Sequence, residues 1–218
     1  MARLATAEVG EPVAPRSRKG AETRARLIEV AKQVFEEDGF LAARISDISK
    51  RAGLSHGSFY HYFDSKEQIF REVAQMQERL LTAPPPVGSV SAPAPDSHRE
   101  RIRRANRRYL EQYRDEARIM GLIEQVSRYD EPVRAVRAAT QKHFADRAER
   151  SIRRLQEEGA ADPAIDPAIA AMALGAMVAR FAELWLVQRY ADYDFEEAVE
   201  QLTALWCNAL CLKDGPAR

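Results

Sequence analysis

Residues 45–63 read Ile45-Ser46-Asp47-Ile48-Ser49-Lys50-Arg51-Ala52-Gly53-Leu54-Ser55-His56-Gly57-Ser58-Phe59-Tyr60-His61-Tyr62-Phe63. The spacing predicts two short helices joined at a sharp angle. Ser46 and Ser55 each stand where a hydroxyl caps a helix N-terminus, and Gly53 supplies the positive φ that such a turn demands. Ile48, Ala52, Leu54, Phe59 and Phe63 are spaced to face inward against a preceding helix. His56, Gly57, Ser58, Tyr60 and His61 are left pointing outward from the second short helix. Small, polar and aromatic donors at a helix start suit entry into the major groove of DNA. A plain helical hairpin accounts for an Ala-Gly-Leu turn by itself, but not for Tyr60, His61, Tyr62 and Phe63 in consecutive positions on so short a helix.

Upstream, Leu27, Ile28, Ala31, Val34 and Phe35 share one face of a helix expected over about Ala21–Asp38, with Gly39 as a left-handed stop. Arg16, Arg18, Lys19, Arg24 and Arg26 lie close together, opposed by Glu22. They form either a solubilising tail or a set of additional phosphate and minor-groove contacts. Downstream, Asp64-Ser65 opens a helix that continues to about Leu81, and Ser65 with Gln68 has the spacing of a capping box. Residues 82–98 are rich in Pro, Ser and Ala and are expected to be a linker or loop. Helices follow at about 98–113, 115–128, 131–158, 166–190 and 195–212. Asp130-Glu131-Pro132 and Asp166-Pro167 have the chemistry of helix starts, and Gly159 that of a stop. Long segments of Ala, Arg, Glu, Leu and Gln without alternating β-branched runs predict an all-α fold.

The 33 basic and 33 acidic side chains cancel, so net charge points to no nucleic-acid partner, and local distribution has to carry that case. The most apolar stretch, Pro167 to Ala179, is shorter than the roughly 20 residues of a membrane span, and residues 1–18 lack the apolar core of a signal peptide. No membrane partner and a cytoplasmic location are expected. Two cysteines, Cys207 and Cys211, make no disulfide framework.

On Ala31, Phe35, Gly39 and Phe40, on Ile48, Ala52, Gly53, Leu54 and Ser55, and on Gly57, Phe59, Tyr60, Tyr62, Phe63, Ser65, Lys66 and Glu67, the segment Ala21–Phe70 resembles the DNA-binding domain of the TetR/AcrR family of bacterial regulators. The resemblance implies an N-terminal three-helix helix-turn-helix domain and a C-terminal helical ligand-binding and dimerisation domain. The expected bounds are a flexible basic arm over 1–19, the DNA-binding domain over 20–66, a connecting helix over 67–81, a Pro-rich linker over 82–98 and the sensing domain over 99–218. It implies a hydroxyl on the phosphate backbone at Ser46 and base-edge contacts at His56 and Ser58. Gly57 would allow close approach, Tyr60 and His61 would touch phosphates and thymine methyls, and the Lys66 ammonium would anchor the backbone. With the capping Ser55 these are the candidate DNA-binding residues. Asp47 stands where some members place a base-reading Arg, and Tyr62 replaces a frequent His.

The same resemblance implies a repressor released from a palindromic double-stranded operator by a small hydrophobic or amphipathic effector. Tyr109, Tyr113, Met120, Ile123, Phe144, Met177, Phe181 and Trp185 supply bulky lining for a pocket between helices, or equally a plain core. Arg180 interrupts an apolar helix, and either a ligand anion or Glu183 would satisfy it. Arg99, Arg101, Arg103, Arg104, Arg107 and Arg108 read as a solvated face, with an acidic ligand or DNA as the alternatives. The last two helices are apolar nearly all round, which predicts a homodimer through them. No nucleophile–base spacing and no glycine-rich phosphate loop is present, so no enzyme, no cofactor and no metal site is expected. The alternative reading is a metal- or redox-responsive regulator using Cys207 and Cys211, one helical turn apart.

Overall fold

Phe35, Phe59, Phe63 and Phe70 are almost wholly enclosed, and around them the N-terminal part of the chain is organised. The computed structural model describes residues 18–84 and 97–213 and divides into two units, Met1–Val73 and Ala74–Arg218. Residues 1–17, with Arg16, and residues 85–96 of the expected linker lie outside the described residues.

In the first unit, α1 (Arg18–Ala42) buries Leu27, Ile28, Ala31, Val34 and Phe35, the face expected from their spacing. Gly39, at φ 77 and ψ 165, ends the first helical run as expected, and beyond this kink the chain is helical again to Ala42. The kink returns Phe40 to the core, its ring 5.8 Å from Phe35 and 4.9 Å from Phe70. α2 (Ile45–Arg51) and α3 (His56–Phe59) are joined through Gly53, whose φ of 70 is the positive value the turn needs. α4 (Lys66–Thr82) opens at Ser65, whose hydroxyl accepts from Gln68 N at 3.1 Å. The reciprocal bond of the expected capping box is displaced by one residue, because the Gln68 side chain accepts from Asp64 N.

The start of α4 is tied to the end of α1 by one side chain. Lys66 Nζ donates to the carbonyls of Phe40, Leu41 and Ala43 at 2.7, 3.1 and 3.1 Å, and lies 4.9 Å from the centre of the Phe40 ring. The last carbonyls of a helix have no partner within it, and a cation there also meets the negative end of the helix dipole.

The second unit contains α5 (His98–Asp115), α6 (Ala117–Ser127), α7 (Glu131–Glu157), α8 (Pro167–Ala182), a π-turn (Glu183–Val187) and α9 (Phe195–Ala209). Asp130, Asp166 and Asp194 cap α7, α8 and α9 by accepting from Val133, Ile169 and Glu197 N–H groups at 3.0, 2.9 and 2.9 Å. Gly159, at φ 69, ends α7. The helix expected to run unbroken over 166–190 loosens instead into the π-turn, against which α6 comes close: a Cβ on Gly121 would stand 2.7 Å from Val187 Cγ1. Pro167–Val187, 21 residues with a mean hydropathy of 1.6, is longer than the apolar stretch read from sequence and is long and apolar enough, by length and composition, to cross a membrane. In this fold Ala170, Ala171, Val178 and Ala182 are packed inside the unit.

The arginines of α5 lie exposed or partly exposed, as expected of a solvated face, and several of them also pair with neighbouring groups. Arg99 and Arg103 reach Glu200 of α9 at 3.2 and 2.6 Å, and Arg107 reaches Glu196 at 2.6 Å. Arg101 contacts His98 Nδ1, and Arg108 donates to the Ala83 carbonyl. Beneath them, Asn106 Nδ2 donates to Thr203 Oγ1 at 3.3 Å in a buried contact. Arg99, Arg103 and Arg107 thereby join α5 to carboxylates of α9.

Lys66→Met should lower the stability of the chain by about 1.5–3 kcal/mol, the loss expected for hydrogen bonds to a charged donor. Thermal and denaturant unfolding followed by circular dichroism measures it, and an unchanged midpoint would show that the three carbonyls do not depend on the ammonium.

Candidate nucleic-acid interface

α3 is held at both ends. At its start Ser55 is the cap: its hydroxyl accepts from Ser58 N at 3.1 Å and shares a 2.8 Å hydrogen bond with Ser58 Oγ. At its end Phe59 and Phe63 are buried with ring centroids 5.7 Å apart, alongside buried Ile48 and Ala52. Leu54 is half-buried. Anchored on this side, the turn presents His56, Gly57, Tyr60 and His61 on its exposed side. The His56 and Tyr60 rings meet edge to face at 5.4 Å, so the two outward aromatic groups form one raised edge. A Cβ built on Gly57 meets nothing within 4 Å, so the fold itself does not require a glycine there.

The other candidates are placed differently from one another. Ser46 is exposed in the first turn of α2 but does not cap it; the cap position is Arg44, which makes no side-chain cap bond. The buried serine of that helix is Ser49, whose hydroxyl donates to Ile45 O at 2.8 Å. Ser58 is half-buried, and its hydroxyl is shared with Ser55 inside the cap. Lys66, expected to anchor phosphate, has its ammonium on three carbonyls of the α1 end, a role that needs partners 23 to 26 residues away and leaves no trace in local sequence. Arg24 is also drawn inward: it pairs with Glu72 at 2.7 Å and lies over the Phe63 ring at 4.9 Å. Arg18 pairs with Glu22 at 3.1 Å, whereas Lys19 and Arg26 are exposed.

Two cations that the sequence reading passed over stand at the ends of α2. Arg44 at its start and Lys50 in its last turn are exposed and enter no ion pair among the described residues. Asp47 stands three residues from each, at helical spacing, so nothing in the local sequence marked them. Arg51, in contrast, pairs with Glu37 at 2.5 Å, and that bond raises its pKa.

In the second unit, Tyr113, Trp185, Val199 and Leu202 form a buried cluster against which Tyr109, Met120, Met177 and Phe181 pack. Phe144 meets Tyr109 edge to face at 5.6 Å. Arg180 belongs to Glu183, at 2.7 Å, so the choice left open between a ligand anion and Glu183 falls to the internal carboxylate. Cys207 and Cys211 do not share a helix face: α9 ends at Ala209, and Cys211 has φ 48. Among the described residues no group of three or more His, Cys, Asp or Glu is arranged to hold a metal.

Residues 27–73 match the family described as bacterial regulatory proteins, tetR family. The chain is 49% identical over 55 residues to the HTH-type transcriptional regulator YdgC of Bacillus subtilis, covering 25% of this chain and 28% of that protein. It is 40% identical over 60 residues to the HTH-type transcriptional regulator UidR of Escherichia coli, covering 27% of this chain and 31% of the relative. The matched part is thus under a third of the length of these relatives. Solved structures extend the likeness of fold much further along the chain. The fatty acid degradation regulator FadR of Bacillus halodurans superposes with a TM-score of 0.68 at 18% identity, covering 88% of this chain and 97% of that one. SmeT, the repressor of the Stenotrophomonas maltophilia multidrug efflux pump SmeDEF, superposes with a TM-score of 0.67 at 21% identity, covering 88% and 91%. The likeness to the tetR family of bacterial regulatory proteins is thus one of sequence over residues 27–73 and, with the solved structures, one of fold along most of the chain.

Proposed function

We propose that the chain is a cytoplasmic transcription regulator that binds a palindromic DNA operator as a homodimer and leaves it when a small effector occupies its helical second unit. The observation that carries this reading is the exposed side of α3. His56, Gly57, Tyr60 and His61 are turned outward from a helix whose other residues are fixed by the Ser55 cap and the Phe59–Phe63 anchor. In the groove, His56 contacts base edges, and Tyr60 and His61 contact phosphate. Gly57 lets the backbone approach closely, which supplies the reason for a glycine that the fold does not need. Ser46, Arg44 and Lys50 add phosphate contacts from α2. Ser58 contributes through the shape of the cap, with its hydroxyl turned to Ser55.

A dimer is supported by apolar side chains left uncovered on the last two helices. Ile169 and Met172 of α8 are 70% and 69% exposed, and Leu205 of α9 is 50% exposed. Water contact with side chains of this kind is unfavourable by about 25 cal/mol for each Å², and a second copy covers them symmetrically. The two recognition helices of such a dimer read half-sites about one turn of DNA apart. An effector that favours a different spacing then releases the operator in proportion to its differential affinity.

Gly57→Ala separates binding from folding. It should leave the melting temperature unchanged or slightly raised, since Ala is the better helix former by about 1 kcal/mol, while weakening operator binding at least several-fold in fluorescence anisotropy. Tyr60→Phe should weaken all duplexes of a selected operator library alike, whereas His56→Ala should change the order of preference among them. A uniform loss for His56→Ala would remove it from base reading. The double variant Met172→Glu, Leu205→Glu should elute as a monomer in light-scattering chromatography and bind half-sites only; a persistent dimer would place the interface elsewhere.

A further inference from the structure

The chain has 4 histidines, and two of them, His56 and His61, stand on the exposed side of the turn built on α3. Neither imidazole enters an ion pair or a side-chain hydrogen bond among the described residues. The His56 ring meets that of Tyr60 edge to face at 5.4 Å. The other two histidines are placed differently. His98 is buried between Arg101 and Glu158, and His143 lies on α7 with its ring 5.7 Å from that of Phe144.

The charged groups of the elements around the turn are mostly engaged elsewhere. On α2, against which α3 packs, Asp47 is half-buried, Arg51 is held by Glu37 of α1, and Arg44 and Lys50 are exposed cations. Arg24 of α1 pairs with Glu72 of α4, and Asp64 accepts from Gln68 Nε2 at 3.4 Å. Lys66 lies on its three carbonyls, and Glu67 is exposed. No carboxylate is therefore paired with either imidazole in the free chain. A duplex supplies the missing negative charge. It carries about one phosphate for every 1.7 Å of its axis, and its field reaches about 10 Å at 0.1 M salt. A ring in the groove lies within that field whether or not it touches a phosphate. Negative surroundings favour the imidazolium form, and imidazole is the side chain that changes charge between about pH 5 and 8.

We propose that the chain takes up protons at His56 and His61 when it binds DNA, so that acidification tightens its hold on the operator. This rests on the reading above of α3 as the element that enters the groove, and it names a regulation of that same site. Because the charged rings are favoured in the complex, the gain in affinity is complete at acid pH. It is lost as pH rises through the range in which the bound imidazoles release their protons. A movement of one pH unit in the titration of a single histidine corresponds to a factor of about ten in affinity, and a homodimer carries each histidine twice.

Fluorescence anisotropy of the full chain on a genomic duplex that it retains, read at about pH 6 and about pH 8, tests this. Calorimetry in phosphate and in Tris, whose heats of ionisation differ, counts the protons. Binding should be about ten-fold tighter or more at the lower pH, with net proton uptake at neutrality. Raising the salt from about 50 mM to about 300 mM should shrink the ratio of the two affinities, because the field of the duplex is screened. His56→Gln and His61→Gln should each reduce that ratio about two-fold or more. His61→Arg, charged at every pH, should reduce it by tightening binding at the higher pH, and His143→Gln should keep it in full. A ratio near one, no proton uptake, or a ratio unchanged in both glutamine variants would overturn the proposal. Equal binding at the two pH values would remove this inference and leave the DNA-binding reading standing, whereas a chain that retains no duplex at either pH would refute both.

Discussion

A helix of four residues does not hold itself together, and α3 exists because Phe59 and the following Phe63 are buried. Each buried ring contributes about 1.5–3 kcal/mol, which exceeds what the backbone bonds of a single turn supply. That anchor fixes the rotation of the helix about its axis. With Phe59 inward, His56, Tyr60 and His61 are outward, and Gly57 lies between them on the exposed side. The exposed rim is therefore the complement of the core, and loss of the anchor would scramble it before any DNA contact was lost.

Several polar groups beside the motif serve this anchor and not a ligand. Ser55 closes the start of α3, an interaction of about 1 kcal/mol, and recruits the Ser58 hydroxyl to do so. Lys66 closes the end of α1, and Arg24 lies between Glu72 and the Phe63 ring. What remains for a nucleic-acid partner is smaller than the set of hydroxyls and cations suggests, and it is concentrated on α3 and on the two ends of α2. The second unit follows the same logic: the α5 arginines are matched by carboxylates of α9, and Arg180 by Glu183, so that the conspicuous charges hold helices together.

Much of this was legible in the sequence because it depends on neighbours within a few residues. The inward set of α1, the positive φ at Gly53, the Ser55 cap and the burial of Phe59 and Phe63 all follow from local spacing, as do the aspartate caps of α7 and α8. The misreadings share a different cause. Lys66, Arg24 and, on α5, Arg99, Arg103, Arg107 and Arg108 find partners brought to them by tertiary packing, from 23 to 101 residues away, and a cation looks the same in sequence whether its partner is a phosphate or a carbonyl. Ser46 lies inside α2 and not at its cap, because the helix begins one residue earlier, at Ile45. The π-turn at Glu183 and the departure of Cys211 from α9 are changes of backbone inside runs whose composition is helical throughout.

The claim on which the functional account stands is that α3 enters the major groove. Methylation of guanine N7 by dimethyl sulfate reports on that groove directly, and it can be applied to a genomic duplex retained by the purified protein. The account predicts guanines protected in two clusters whose centres are about 10 base pairs apart, with the protection lost in the Gly57→Ala protein. A duplex that stays bound while every guanine N7 remains reactive would contradict it.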